Sequence, residues 1–295
     1  MNIILDIFQQ SFILFPLILG IYISYKVLNV TDLTVEGSFV LGAVVFAKLT
    51  TELVNPLLAM FGAILSGALS GIIVALIQRH NKIDSLIAGI LMIFMLYSIN
   101  LQIMGVPNLT TYDHITVNTY FSYLFSHYHE FIFSAIFAIV CFILVFVLFK
   151  TKLGLNLRAY GDNYRLLYKL GKNPEKYRLI GLAISNALAA VSGSLTCQIY
   201  DFADINMGFG IALTAIGALL IGIQIIKKIF KHNNYSVVID SLACFLGVFL
   251  YYSAVTIFLN IGVNPINLKL LIGIILILLL KTMSNKNCNP WKRNY

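Results

Sequence analysis

Charge is scarce in this chain. Only 11% of its 295 residues are Asp, Glu, Lys or Arg, against about 25% in an average soluble domain. Hydrophobic residues make up 59%, and the mean hydropathy is +0.89. That balance excludes a water-soluble globular fold, and the apolar excess excludes disorder. Cysteine is sparse too. The four are Cys141, Cys197, Cys244 and Cys288, with no CxxC spacing, which excludes a disulfide framework and argues against metal or redox work. The N-terminus lacks the basic region of a signal peptide. Its only early charge is Asp6, so it is expected to stay in the mature protein. No nucleophile motif, phosphate loop or HExxH sequence occurs. Without a Walker A sequence, any ATP-driven work would need its ATPase on another chain.

Long charge-free runs are what the chain does have. Seven span at least 19 residues: 7–25, 53–78, 85–112, 131–149, 179–200, 205–226 and 241–268. Each is long enough to cross a bilayer as a helix, which takes about 20 residues. Two further apolar segments carry charges. Val35–Val54 holds Glu36, Lys48 and Glu52, and Val263–Met283 holds Lys269. Counting both predicts an all-α membrane protein, a single transmembrane helical bundle over 1–295 with about nine crossings. Continuous apolar runs without a period of two exclude a β-barrel.

The net charge of +8 is local. The stretch 150–178 alone holds eight basic residues and two acids, which reads as a topology signal and not as a nucleic-acid surface. With the N-terminus outside and nine alternating helices, all of the 20 Lys and Arg except Lys48 and Lys269 fall on the inner side. The positive-inside bias therefore favours an outer N-terminus and a cytoplasmic tail at 282–295. Segment 105–130 is then outside and 150–178 inside. His114, His127 and His129 lie in the outer segment, but HxH spacing without a placed third ligand does not predict a metal site.

An internal echo links Val30-Thr-Asp-Leu-Thr-Val35 to Phe202-Ala-Asp-Ile-Asn-Met207. Asp32 aligns with Asp204 and Thr34 with Asn206, and a glycine follows each. Five crossings separate the copies, so they face opposite ways. This is the pattern of an inverted-repeat transporter with broken or re-entrant helices near the solute path. Ionisable groups in such segments are functional candidates. Asp32, Glu36, Ser38, Asn100, Ser185, Asn186, Asp201, Asp204 and Asn206 are the expected pathway residues. Each has a plainer reading. Asp32 and Glu36 at i,i+4 also suit a helix start, the amides and serine suit helix-to-helix bonds, and Asp201 and Asp204 suit a solvated turn.

Segment 150–178 contains a short helix over 162–171, with Asp162 or Asn163 able to cap its start and Gly171 its end. Leu166, Leu167 and Leu170 would share an apolar face, with Arg165 and Lys169 on another side. So short a helix needs a partner, either lipid headgroups or a protein.

Several motifs agree in order along residues 17–226. They include Asp-Leu-Thr-Val-Glu-Gly-Ser-Phe (32–39), Leu-Tyr-Ser-Ile-Asn-Leu (96–101), Gly-Leu-Asn-Leu-Arg-Ala-Tyr-Gly-Asp-Asn (154–163), Gly-Leu-Ala-Ile-Ser-Asn-Ala-Leu-Ala-Ala-Val-Ser-Gly (181–193) and Asp-Phe-Ala-Asp-Ile-Asn-Met-Gly (201–208). Together they resemble the permease subunits of ABC importers of the branched-chain amino acid and ribose type. The nearest subgroup is linked to aromatic or other amino acids. The resemblance implies a homodimer or pseudo-dimer of permeases, two cytoplasmic ATPase subunits that bind ATP and Mg, and an outer substrate-binding protein. It also implies that the helix at 162–171 seats in the ATPase. The lysines around 227–231 and the histidines outside depart from the pattern. The rival expectation is a proton-coupled secondary transporter using Glu36 or Asp204.

Overall fold

In a computed structural model, the described residues are 3–79, 83–125, 128–230, 237–264 and the isolated positions 267, 270, 273 and 274. Ten α-helices dominate them. α1 (Ile3–Ile21) runs on into a π-helical turn (Tyr22–Val27), and an extended segment, 28–34, leads into α2 (Val35–Thr51). α3 (Pro56–Ile77) and α4 (Ser85–Met104) follow, then strand β1 (Asn108–Thr110), α5 (Val117–Leu124), α6 (His129–Lys150) and α7 (Lys152–Lys169). α8 (Pro174–Tyr200), strand β2 (Phe202–Asp204), α9 (Ile211–Phe230) and α10 (Val237–Asn260) complete the order.

Seven of these helices are long and apolar enough to cross a membrane. The charged segment 35–54 forms α2, only 17 residues long. Most of the second charged segment, 263–283, lies outside the described residues, as do the tail 282–295 and His127.

The helix ends obey local chemistry. Asn55, Asp84 and Asn173 each accept the backbone N–H two residues on, at 2.9–3.0 Å, and prolines fill the first turns of α3 and α8. These are the groups that satisfy a helix's otherwise orphaned first donors. α4 ends at Gly105 in a left-handed conformation (φ 73°), as helix termini commonly do. Pro16 sits inside α1, and one turn earlier the Ile13 carbonyl accepts the Ser192 hydroxyl at 2.6 Å. A serine of α8 thus ties that helix to α1 beside the proline.

α8 is the central post. α2 and α3 pack along it through small residues. A Cβ on Gly42 would strike the Ala190 backbone, and one on Gly71 or Gly193 would strike the backbone at Leu182 or Phe39. Helices in lipid gain stability from such close contact rather than from a hydrophobic force between them. α9 and α10 make a second tight pair, with Gly222 against Ala243 and Gly247 against Ala218.

The bundle has two chemically distinct ends. At the basic end α7 packs against α8 and the π-turn after α1. A cavity of about 370 Å³ there is lined by Asn29, Gln78, Asp84, Tyr160, Tyr164 and Arg178 among others. At the other end β1 pairs antiparallel with β2, Asn108 opposite Asp204. Segment 105–130 is therefore fastened down. Its Val117 N–H donates to Gln198 Oε1 at 3.1 Å.

Gly193→Ala should lower the thermal unfolding midpoint in detergent by far more than Gly62→Ala. The first forces a methyl into Phe39 backbone, whereas the second meets only the tip of Leu49. Overpacking against backbone costs about 1–3 kcal/mol. Equal midpoints for the two variants would contradict the packing.

Candidate functional site

Four elements converge on one amide. Asn186, fully buried and midway along α8, donates through Nδ2 to Asp32 Oδ2 at 2.7 Å and to the Leu182 carbonyl at 2.9 Å. Its Oδ1 accepts the Ser38 hydroxyl at 2.7 Å, and Ser38 Oγ lies 2.6 Å from Ser70 Oγ on α3. The segment 28–34, α2, α3 and α8 are thereby joined in one buried network. Polar groups in such places must find partners inside the protein, and both Nδ2 hydrogens and the Oδ1 of this amide have them.

Asp32 is 3% exposed. Its other oxygen, Oδ1, accepts the Thr34 N–H at 2.9 Å. Asp204 repeats the turn, its Oδ1 accepting the Asn206 N–H at 2.7 Å. The two aspartates of the sequence echo thus make the same i→i+2 turn, each a few residues before a helix, α2 and α9. Asp32 does not cap α2 itself, because the residue at the cap position is Thr34, which makes no side-chain capping bond.

The two helix starts meet. Glu36, in the first turn of α2, accepts the Ala212 N–H of α9 at 3.3 Å. A Cβ on Gly208 would lie 2.7 Å from the Glu36 carbonyl. The carboxylate therefore sits at the positive end of α9, where a negative charge is stabilised. Asn100, 1% exposed on α4, donates to the Gly37 carbonyl at 3.4 Å, and its Oδ1 has no partner among the described residues.

Three expected pathway residues sit elsewhere. Ser185 donates to the Gly20 carbonyl at 2.8 Å and ties α8 to α1. Asp201 ends α8 with φ 58°, its carbonyl accepting the Thr111 N–H at 2.8 Å. Partial burial and the nearby Glu130 charge push its carboxyl upward. Asn206 is exposed.

The segment at the basic end differs from the expected short helix. α7 begins ten residues before Asp162 and breaks at Asn163 (φ −161°, ψ 95°). Asn163, not Asp162, caps the second half, accepting the Arg165 N–H at 3.0 Å. Gly171 (φ 69°) follows its end. The three leucines do not share an exposed face. Leu167 is fully buried, while Leu166 and Leu170 are 46% and 59% exposed. The basic residues of this segment also divide. Arg178 is buried and pairs with Glu175, and Lys172 reaches Asn156 Oδ1 at 2.9 Å.

The π-turn before segment 28–34 and the Tyr22–Asp240 hydrogen bond (2.8 Å) from it to α10 had no counterpart in the sequence reading. Tyrosine at 22 and aspartate at 240 carry no local pattern that would pair them.

The model of the family described as branched-chain amino acid transport system / permease component matches residues 3–280. The chain belongs to that family. It is a multi-pass membrane transport subunit. Relatives of this permease include an uncharacterised protein of Rickettsia prowazekii (strain Madrid E), 46% identical over 97% of this chain and all of the relative. A tyrosine transport system permease protein of Clostridioides difficile (strain R20291) is 35% identical over 99% of this chain and 94% of its own. A nucleoside ABC transporter permease protein of Lactococcus lactis subsp. cremoris (strain MG1363) is 44% identical over 21% of this chain and 20% of its own. No solved structure matches the permease.

Replacing Asn186 with leucine leaves Asp32 Oδ2 buried without its donor and the Ser38 hydroxyl with Ser70 alone. The expected loss is about 3 kcal/mol, the upper range for a hydrogen bond to a charged group. Ser70→Ala should cost far less, since the Ser38 hydroxyl still reaches Asn186. Chemical denaturation in mixed micelles compares the two, and a smaller loss for Asn186→Leu would remove the amide from its central role.

Proposed function

We propose that this chain is the membrane-spanning permease subunit of an ATP-binding-cassette importer for a small solute, an amino acid or a related compound. Family membership supports the transport role, and the relative named for tyrosine transport supports the solute class. The observation that carries the ATP-driven part is α7. Its second half presents Leu166 and Leu170 to the outside of the bundle at the basic end, with Arg165 and Lys169 beside them. Apolar anchors rimmed by charge are how protein interfaces are commonly built. In this reading the occupant is a cytoplasmic ATPase subunit, which holds ATP and Mg. Leu167 anchors the helix from beneath.

The importer reading carries further parts. The permease is a homodimer, and an outer binding protein delivers the solute to the end bearing β1, β2 and α5. The N-terminus is outside and the C-terminus cytoplasmic. The extended segment 28–34 plus α2 makes one broken crossing, and segment 201–210 plus α9 makes its inverted counterpart. The last apolar segment raises the crossings to nine. Asp32, Glu36, Ser38, Asn100, Asn186 and Asp204 border the route between these halves. No geometric observation favours proton coupling, since Glu36 and Asp204 each accept a main-chain N–H.

Co-purification with the ATPase tests the docking. Leu166→Asp together with Leu170→Asp should weaken it about thirty-fold, the roughly 2 kcal/mol typical of a buried anchor, without loss of folded permease. Lys169→Gln should change it little. An undiminished ATPase yield with both leucines replaced would defeat the reading. A cytoplasm-only reporter fused after Tyr295 should be active, and one inserted in 105–130 silent. The opposite pattern would reverse the topology.

A further inference from the structure

Resting on the importer reading, we propose that residues 27–36 act as one rigid lever that carries displacement of α7 into the first turn of α9, with Asn186 as its fulcrum. The lever's near end lies against α7 and α8. A Cβ on Gly161 of α7 would overlap the Val27 carbonyl, and one on Gly181 of α8 would lie 2.5 Å from Leu28 Cδ1. Leu28 is 1% exposed. Backbone rests directly on backbone at Gly161, so any shift of α7 toward the bundle must push Val27. No flexible side chain intervenes to absorb it.

The segment is stiff between its ends. The Leu28 N–H reaches the Ile23 carbonyl and the Val30 N–H the Ser24 carbonyl, both at 2.9 Å. Asp32 closes its turn on Thr34, and Thr31 Oγ1 lies 3.0 Å from Ser85 Oγ. Val30, Asp32, Thr34 and Val35 are all buried. Midway, Asp32 is held to Asn186 of α8. A point fixed between two contacts turns displacement at one end into displacement at the other.

The far end meets a different body. α9 pairs tightly with α10 and touches the lever through the Glu36–Ala212 hydrogen bond and the Gly208–Glu36 backbone contact. The preceding π-turn joins this lever to α1 and holds Asp240 of α10 through Tyr22. Single π-turns inside helices are frequent at functional sites.

Distances between spin labels test this in the intact complex with its ATPase. Labels stand at Leu155 on α7, exposed and away from the docking leucines, and at Leu213 on α9, each measured against one at Leu69 on α3. The probe is a non-hydrolysable ATP analogue. Both distances should shift on adding it. In Glu36→Ala the α7 shift should persist while most of the α9 shift is lost. Glu36→Gln, whose side-chain oxygen still accepts the Ala212 N–H, should restore it. At the near end, Gly181→Ala should also disconnect α9, and adding Leu28→Ala should reconnect it by vacating the space the new methyl needs. A helix that merely failed to fold would show neither rescue. If the α9 shift survives Glu36→Ala unchanged, or if neither rescue appears, the lever is wrong and the importer reading stands. If the ATPase binds but neither distance moves, α7 is not the receiving element, and both fall.

Discussion

Buried backbone that leaves the helical path has no water to turn to, and this constraint organises the molecule. Residues 28–34 are such a stretch. Their polar groups are answered by the π-turn behind them, by the Asp32 side chain within, and by Asn186 across the interface. Asn186 has the right inventory for the position. A carboxamide offers two donors and an acceptor at one point, so it can hold a carboxylate, its own helix and a hydroxyl at once. A leucine there would pack, but it would take a bond from three polar groups, the Asp32 carboxylate, the Ser38 hydroxyl and the Leu182 carbonyl. The path of 28–34, and hence where α2 begins, follows from that one amide.

Around it, small residues set the distances. α2 and α3 approach α8 until backbone meets backbone at Gly42, Gly71 and Gly193. Contacts of this kind cannot slide, because each removed gap is filled by main chain and not by an adaptable side chain. α9 and α10 are bound to each other in the same way. Two stiff groups result, joined through α1 and at the Glu36–Ala212 contact. A transporter needs parts that move as wholes about a defined joint, and here the joint falls at the meeting of two helix starts.

Much of this was legible in the residues. Charge-free runs located the long apolar helices. The paired Asp32 and Asp204 motifs foretold the shared turn, because an aspartate two residues before an N–H encodes it locally. What failed was direction. Leu166, Leu167 and Leu170 all follow the break at Asn163 and keep their mutual spacing, but the break re-aims that half of α7 so that Leu167 turns into the bundle while the other two stay outside. The upstream half of α7 escaped notice because asparagine, glycine and arginine in 154–161 suit a loop as well as a helix. Ser185 and Asn186 are adjacent polar residues of the same apparent class, yet one binds α1 and the other binds α2 and the 28–34 segment. Which face of α8 each occupies depends on neighbours distant in sequence.

A chain with so few charges has reason to spend each one. Asp32 and Asp204 each accept a main-chain N–H within their own turn, and Glu36 accepts one from the other half of the echo. An ionised carboxylate is costly away from water unless donors surround it, and helix starts are where unused donors collect. The carboxylates and the interrupted helices therefore explain each other. Breaking a helix at depth exposes N–H groups that need an acceptor, and an acidic side chain at that depth needs those N–H groups. Glu36 differs from the two aspartates in one respect. Its extra methylene lets it reach across to α9 instead of closing on its own turn, which makes it the acid that joins the two halves.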